Sequence, residues 1–175
     1  SVVKELLENA LDAGASELRV HLRAGGRNLV AVADDGCGMD RTDALMALER
    51  HATSKIRVYD DLLQIRTLGF RGEALASMAA VSQVEMKTRR SGDDTATLVR
   101  IEGGEIKEVA QCAAPKGTSI AVKNLFFNTP ARRKFLKTES TEMAHCVEAV
   151  RRHALVRPDV AFAVWHEGRL VAQWR

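Results

Sequence analysis

Residues 2–34, VVKELLENALDAGASELRVHLRAGGRNLVAVAD, carry two hydrophobic periods in succession. Val3, Leu6, Leu7, Ala10 and Leu11 recur at the spacing of one helix face, which predicts a helix over residues 2–13. Gly14 stands where a helix ending in a left-handed residue places its glycine. Beyond it the period drops to two. Leu18, Val20 and Leu22 alternate with Glu17, Arg19, His21 and Arg23, the pattern of a half-buried strand. Gly25-Gly26 supplies a turn and residues 29–33 a second strand, so the pair forms a hairpin.

A short helix is expected over residues 40–48, a polar loop over 51–60, and further short helices over 60–65 and 72–80. The period then returns to two. Strands are expected over 83–89, 96–102, 105–110 and 118–123, separated by Ser91-Gly92-Asp93-Asp94, Gly103-Gly104 and Pro115-Lys116-Gly117. Thr129-Pro130 opens a helix, with Thr at the N-cap and Pro at the first helical position. A longer helix runs from about 141 to 156 and stops before Pro158. Residues 160–165 and 169–174 close the chain as a hairpin around Glu167-Gly168. This succession predicts an α/β (α+β) two-layer sandwich, a mixed and mostly antiparallel sheet with helices on one face.

The 175 residues suit one domain with a single sizeable core. At 46% hydrophobic and 28% charged, the chain is neither a disordered tail nor a collagen-like repeat. Residues 74–84, the longest uncharged stretch, are too few and too polar to span a bilayer, so no membrane partner is expected. Cys37, Cys112 and Cys146 lie far apart and form no zinc or disulfide pattern. With no signal peptide in view, a reducing cytoplasm is expected. A net charge of +3 permits nucleic-acid binding without requiring it. The chain enters a helical pattern at Ser1 and stops on an apolar alternation at Arg175, which reads as a piece of a longer protein.

Chemistry could sit in several places. Glu5, Asn9 and Asp12 share one helix stripe. That stripe is either a solvent face or a carboxylate and an amide aimed into a site, Glu as general base and Asn as an oxygen ligand for Mg²⁺. Asp34-Asp35-Gly36-Cys37-Gly38 follows a strand directly. It is either a plain turn or a carboxylate placed to accept a hydrogen bond from a purine amino group, with glycines that let a ligand near the backbone. Gly69-Phe70-Arg71-Gly72-Glu73-Ala74-Leu75 leads into a helix, and such a start can hold phosphate on its amides. His51-Ala52-Thr53-Ser54-Lys55 is either a surface loop or a lid. Arg132, Arg133, Lys134 and Lys137 form a positive patch, and Arg151, Arg152 and Arg157 a second. Either is a solvated face or a contact to phosphate backbone, with no interleaved aromatics to suggest base stacking.

The order of these segments is more specific than any one of them. Glu5-x-x-x-Asn9 with Asp12-Ala13-Gly14, then Asp34-x-Gly36-x-Gly38, then residues 69–75, then Gly117-Thr118, resembles the motifs of the GHKL ATPases. Three words look like the MutL/MLH/PMS mismatch-repair family, and its bacterial members most. They are His51-Ala52-Thr53-Ser54-Lys55-Ile56, the residues 69–75, and Asn128-Thr129-Pro130-Ala131-Arg132-Arg133-Lys134-Phe135. The resemblance runs the length of the chain and implies a Bergerat-type fold.

By that resemblance Glu5 would be the general base and Asn9 the Mg²⁺ ligand. Asp34 would accept the adenine amino group, with Thr118 supporting it through an ordered water and Gly36 and Gly38 beside it. Thr53, Ser54 and Lys55 would belong to the lid. Gly69, Phe70, Arg71, Gly72, Glu73, Ala74 and Leu75 would wrap the phosphates of ATP. The family role implied is slow ATP hydrolysis that times a dimeric clamp, linking a MutS-type mismatch-recognition protein to strand incision on DNA held through its backbone. Location would be the bacterial cytoplasm and nucleoid, or the nucleus in a eukaryote. An N-terminal arm would precede Ser1 and a lysine-delivering domain would follow Arg175, so this piece by itself is expected to bind ATP weakly, to hydrolyse it poorly and to stay monomeric. Asp35 stands where many relatives carry Asn, with no role assigned.

Overall fold

The computed structural model describes residues 1–48 and 70–175. Five α-helices and eight strands are present among them: α1 Val2–Asp12, β1 Glu17–Arg23, β2 Leu29–Asp34, α2 Arg41–Leu48, α3 Phe70–Ala80, β3 Gln83–Arg89, β4 Ala96–Glu102, β5 Glu105–Cys112, β6 Gly117–Lys123, α4 Pro130–Arg133, α5 Glu139–Val156, β7 Ala161–His166 and β8 Arg169–Trp174. The expected loop over 51–60 and the helix over 60–65 lie outside the described residues.

The strands form one sheet in the order β5-β4-β3-β6-β2-β1-β7-β8. Every neighbouring pair is antiparallel except β1 and β7, which run parallel. The inward parity of the inner strands is mainly apolar: Leu18, Val20 and Leu22 on β1, Val84 and Met86 on β3, Phe162 and Val164 on β7. Helices α1, α2, α3 and α5 cover that face. On the other face Glu17, Arg19, His21 and Arg23 meet solvent, and His21 stacks on Trp165 at 5.0 Å. The expected two-layer α/β sandwich is the observed fold.

Helix α1 lies at the centre of the helical layer, in contact with β2, α3 and α5. Val3, Leu6, Leu7 and Ala10 are its buried stripe, and each large side chain there stabilises the fold by about 1.5–3 kcal/mol. The Ser1 hydroxyl accepts the Lys4 amide at its start. At its end Gly14 N donates to Leu11 O and Ala15 N to Ala10 O, the paired bonds of a Schellman turn. Three boundaries differ from expectation by two residues, and several others by one. Helix α3 starts at Phe70 rather than Gly72, β5 runs on to Cys112, and α5 starts at Glu139 because Thr138 caps it through the Thr141 amide.

Candidate functional site

Asp34 ends β2, opposite Thr118 on β6. Its Oδ1 accepts the Gly36 amide at 2.8 Å and the Thr118 amide at 3.2 Å. Burial pushes the Asp34 carboxyl up to about 6, against the pull of those two amides and with a smaller push from Asp35. This carboxylate is therefore held at a cost and aimed by two backbone bonds. It faces a pocket of about 210 Å³ whose wall is shared by Asn9, Asp12, Val32, Gly38, Met39, Leu75, Thr118 and Ile120. Apolar walls around a few convergent polar groups are the usual make-up of a small-molecule site.

Asn9 supplies the second polar group. Its Nδ2 is buried with no hydrogen-bond partner, the one such side-chain atom among the described residues. An orphaned buried amide costs free energy unless a ligand completes it. Because the two ends of an amide differ by a flip, the same side chain can offer Oδ1 to a cation beside phosphate, so the donor set fits Mg²⁺.

Glu5 lies one turn before Asn9 on α1 but lines a different space. This larger cavity, about 490 Å³, is walled by Val3, Val30, Met78, Val122, Leu125 and Phe126. Ala74 faces the larger cavity and Leu75 the smaller pocket. Because α3 already begins at Phe70, the amides of Ala74 and Leu75 belong to the helix ladder. The amides of the first turn, Phe70 to Gly72, are those without an intrahelical acceptor. Thr53, Ser54, Lys55 and Gly69 lie outside the described residues.

The glycines of the Asp34 turn have a use the sequence pattern does not reveal. A Cβ on Gly36 would meet the Ala13 side chain and carbonyl at 2.8 Å, and one on Gly38 would collide with the Arg89 carbonyl. These positions let protein, rather than a ligand, approach closely. Asp35, without a role at the sequence level, accepts the Ser16 amide at 2.7 Å, the Glu17 amide at 3.0 Å and the Ser16 hydroxyl. Partial burial would raise its pKa, yet those hydrogen bonds outweigh it and hold the carboxyl below its ordinary value. Asp35 thus clamps the turn after α1 to the end of β2.

The basic residues divide. Arg132 packs its guanidinium 4.6 Å above the Phe126 ring and lines the larger cavity. Arg133, Lys134 and Lys137 are exposed and make no ion pair among the described residues. Phe135 stands among them 83% exposed, so an aromatic does interleave the patch, contrary to the expectation from sequence. The second patch is largely offset: Arg151 and Arg152 share Glu148 at 2.7 and 3.1 Å, and Arg157 bonds Asp159 at 2.9 Å. Glu139, His166 and Glu167 bring donor atoms within 4.8 Å of one another. Gly25 N already donates to His166 Nε2 and Ala24 N to Glu167 Oε1, so this group locks the turn at 24–26.

A carboxylate at a strand end, a facing threonine and an asparagine on the covering helix form one site on a helix-backed mixed sheet. Residues 1–126 match the family of histidine kinase-, DNA gyrase B- and HSP90-like ATPases, and the chain belongs to that family. Its resemblance to the mismatch-repair branch is also found. The chain is 58% identical over 171 residues to DNA mismatch repair protein MutL of Porphyromonas gingivalis, covering 98% of this chain and 28% of that one. It is 58% identical over 162 residues to MutL of Acidobacterium capsulatum, covering 93% and 24%. The Aquifex aeolicus MutL ATPase domain complexed with ADP superposes with a TM-score of 0.81 at 32% identity, over 99% of this chain and 62% of that one. The chain therefore spans 24–28% of the length of these curated relatives.

Proposed function

We propose that this chain binds ATP with adenine at Asp34 and hydrolyses it slowly, as the nucleotide switch of a mismatch-repair protein. The observation that carries this reading is the sharing of one pocket by Asp34, Thr118 and Asn9, with Glu5 one helical turn upstream. A nucleotide with its base against Asp34 would run its phosphates along α1, past Asn9, toward Glu5 and the first turn of α3. Asn9 would hold Mg²⁺, which supplies neutralisation of phosphate charge. Glu5 would take a proton from the attacking water. The first-turn amides of α3 would bind phosphate oxygens, helped by the helix dipole. Residues 53–55 would cover the nucleotide, and the closed state would favour pairing of two chains. That pairing, contact with a MutS-type protein, non-specific DNA contact through Arg133, Lys134 and Lys137, and action in the bacterial cytoplasm belong to the same proposal. Among the described residues no helix is long and apolar enough to cross a membrane.

A thermal-melt titration with a non-hydrolysable ATP analogue and Mg²⁺ tests the reading. Ligand at about a hundred times its dissociation constant should add roughly 2.7 kcal/mol, a shift of roughly 5–10 °C. The shift should vanish in Asp34→Ala. A parent that does not shift at millimolar ligand, or an Asp34→Ala variant that shifts as much, overturns it. A second reading, a nucleotide-ordered interaction module without hydrolysis, draws on the separation of Glu5 from the Asp34 pocket. Glu5→Ala distinguishes the two: hydrolysis requires that turnover be abolished while binding is kept.

A further inference from the structure

The inner face of β3 runs Val84, Met86, Thr88, two apolar side chains and then a hydroxyl, and Thr88 is only 1% exposed. A hydroxyl this buried costs free energy unless it is bonded. Strand register sets it in one row with two site residues: Asp34 faces Thr118 across β2 and β6, and Thr118 faces Thr88 across β6 and β3. Thr88 Oγ1 accepts the Met39 amide at 2.9 Å and lies 2.8 Å from Thr118 Oγ1. Thr118 lines the Asp34 pocket; Thr88 stands behind it.

Each hydroxyl has one hydrogen. Were Thr118 to donate to Thr88, the Thr88 hydrogen would be buried with no acceptor among the described residues. With Thr88 donating to Thr118, both capacities of Thr88 are used: the Met39 amide bonds to its oxygen, and its hydrogen goes to Thr118. The Thr118 hydrogen is then turned to the pocket. The site presents a hydrogen-bond acceptor, Asp34, beside a donor, Thr118.

The geometry points to Thr88 as a positioning residue that fixes Thr118 as a donor and so sets the preference of the site for adenine over hypoxanthine nucleotides. This inference rests on the nucleotide reading above. Adenine carries an amino donor at C6 next to an acceptor at N1, the direct complement of Asp34 and Thr118. Hypoxanthine reverses both, with an acceptor at C6 and a donor at N1. Each of its groups would face a like group, and buried sites reject such mismatches strongly.

The test is the dissociation constants of ADP, inosine diphosphate and 1-deaza-ADP for the parent, Thr88→Val and Thr88→Ser. The parent should prefer ADP to inosine diphosphate. Thr88→Val keeps the side-chain shape and should narrow that preference by roughly ten-fold, the worth of about one oriented hydrogen bond. Thr88→Ser should restore it. A folded Thr88→Val that weakens both nucleotides equally, with the ratio unchanged, assigns Thr88 to packing and overturns the inference. 1-Deaza-ADP lacks the N1 acceptor and should bind the parent roughly ten-fold more weakly than ADP. Equal affinity would also overturn it, whether or not the valine variant folds. A parent that binds neither ADP nor inosine diphosphate at millimolar concentration defeats the nucleotide reading itself. Selective binding by the parent with an unchanged ratio in Thr88→Val defeats only the role of Thr88.

Discussion

Gly117 and Asp34 lie back to back. Gly117 has φ +118°, and the main-chain carbonyl of Asp34 occupies the place where its side chain would be. The contact seats the start of β6 against the end of β2 and delivers the Thr118 amide to the Asp34 carboxylate at 3.2 Å.

Gly117→Ala is therefore expected to cost about 2–4 kcal/mol, from left-handed strain together with displacement of the strand end. For a chain of this size the melting temperature should fall by roughly 5–15 °C. ADP affinity should fall with it, because the bond that aims Asp34 is broken. A melt within about 1 °C of the parent would count against this account of the site.

The pH behaviour of Asp34 gives a second expectation. Its folded pKa of about 6 lies above the ordinary 3.8, so between those values the folded state holds more protons than the unfolded state. Stability then falls as pH rises from about 4 to about 6, and the deficit persists at neutral pH. A shift of this size corresponds to about 3 kcal/mol at most. Asp34→Asn keeps an acceptor for the Gly36 and Thr118 amides and removes the titration. It should melt above the parent at pH 8, converge with it near pH 4, and lose adenine nucleotide binding. Parallel melting curves across that range would show that Asp34 is not strained by burial.

Asp35 should behave in the opposite sense. Asp35→Ala removes the acceptor of the exposed Ser16 and Glu17 amides and is expected to destabilise the domain by about 0.5–1.5 kcal/mol at pH 7. Since its folded pKa is lowered, its contribution is present above the ordinary carboxylate value of 3.8 and disappears as pH falls through the folded pKa. Chemical denaturation at pH 7 and at pH 3 checks this, and a difference from the parent that grows on acidification would contradict it.

DNA binding should separate the two basic patches. Arg133→Gln with Lys134→Gln should weaken binding of random-sequence DNA and flatten the salt dependence by roughly one unit of slope for each phosphate no longer neutralised. Arg151→Gln with Arg152→Gln should have the smaller effect on both, because Glu148 already offsets one of those two charges. Equal effects of the two double variants would place the DNA-binding surface elsewhere.

The local elements are legible in the chain because their causes are local. Alternation at Leu18, Val20 and Leu22 reflects a two-residue repeat, and the 3, 6, 7, 10 spacing of α1 reflects 3.6 residues per turn. β1, β3, β4 and β8 carry the boundaries their periodicity implies. The order of motifs likewise points to the family without any knowledge of packing. Other features depend on which distant residues meet. The parallel pairing of β1 with β7 joins strands more than a hundred residues apart, beyond the reach of a periodic pattern. The start of α5 escapes the periodicity because Thr138, the capping residue, does not continue the apolar stripe. Asp35 is a spare carboxylate in the sequence and a clamp once Ser16 and Glu17 are beside it, as Arg151 is a free cation until Glu148 joins it. Thr88 gives one signal, a polar residue at an inward position, but its meaning requires Met39 and Thr118 from two other segments. A sequence sets which groups are available at each position and the period in which they recur. Only the folded chain decides which of those groups are desolvated together, and desolvation sets both the pKa of Asp34 and the direction of the Thr88 hydrogen bond.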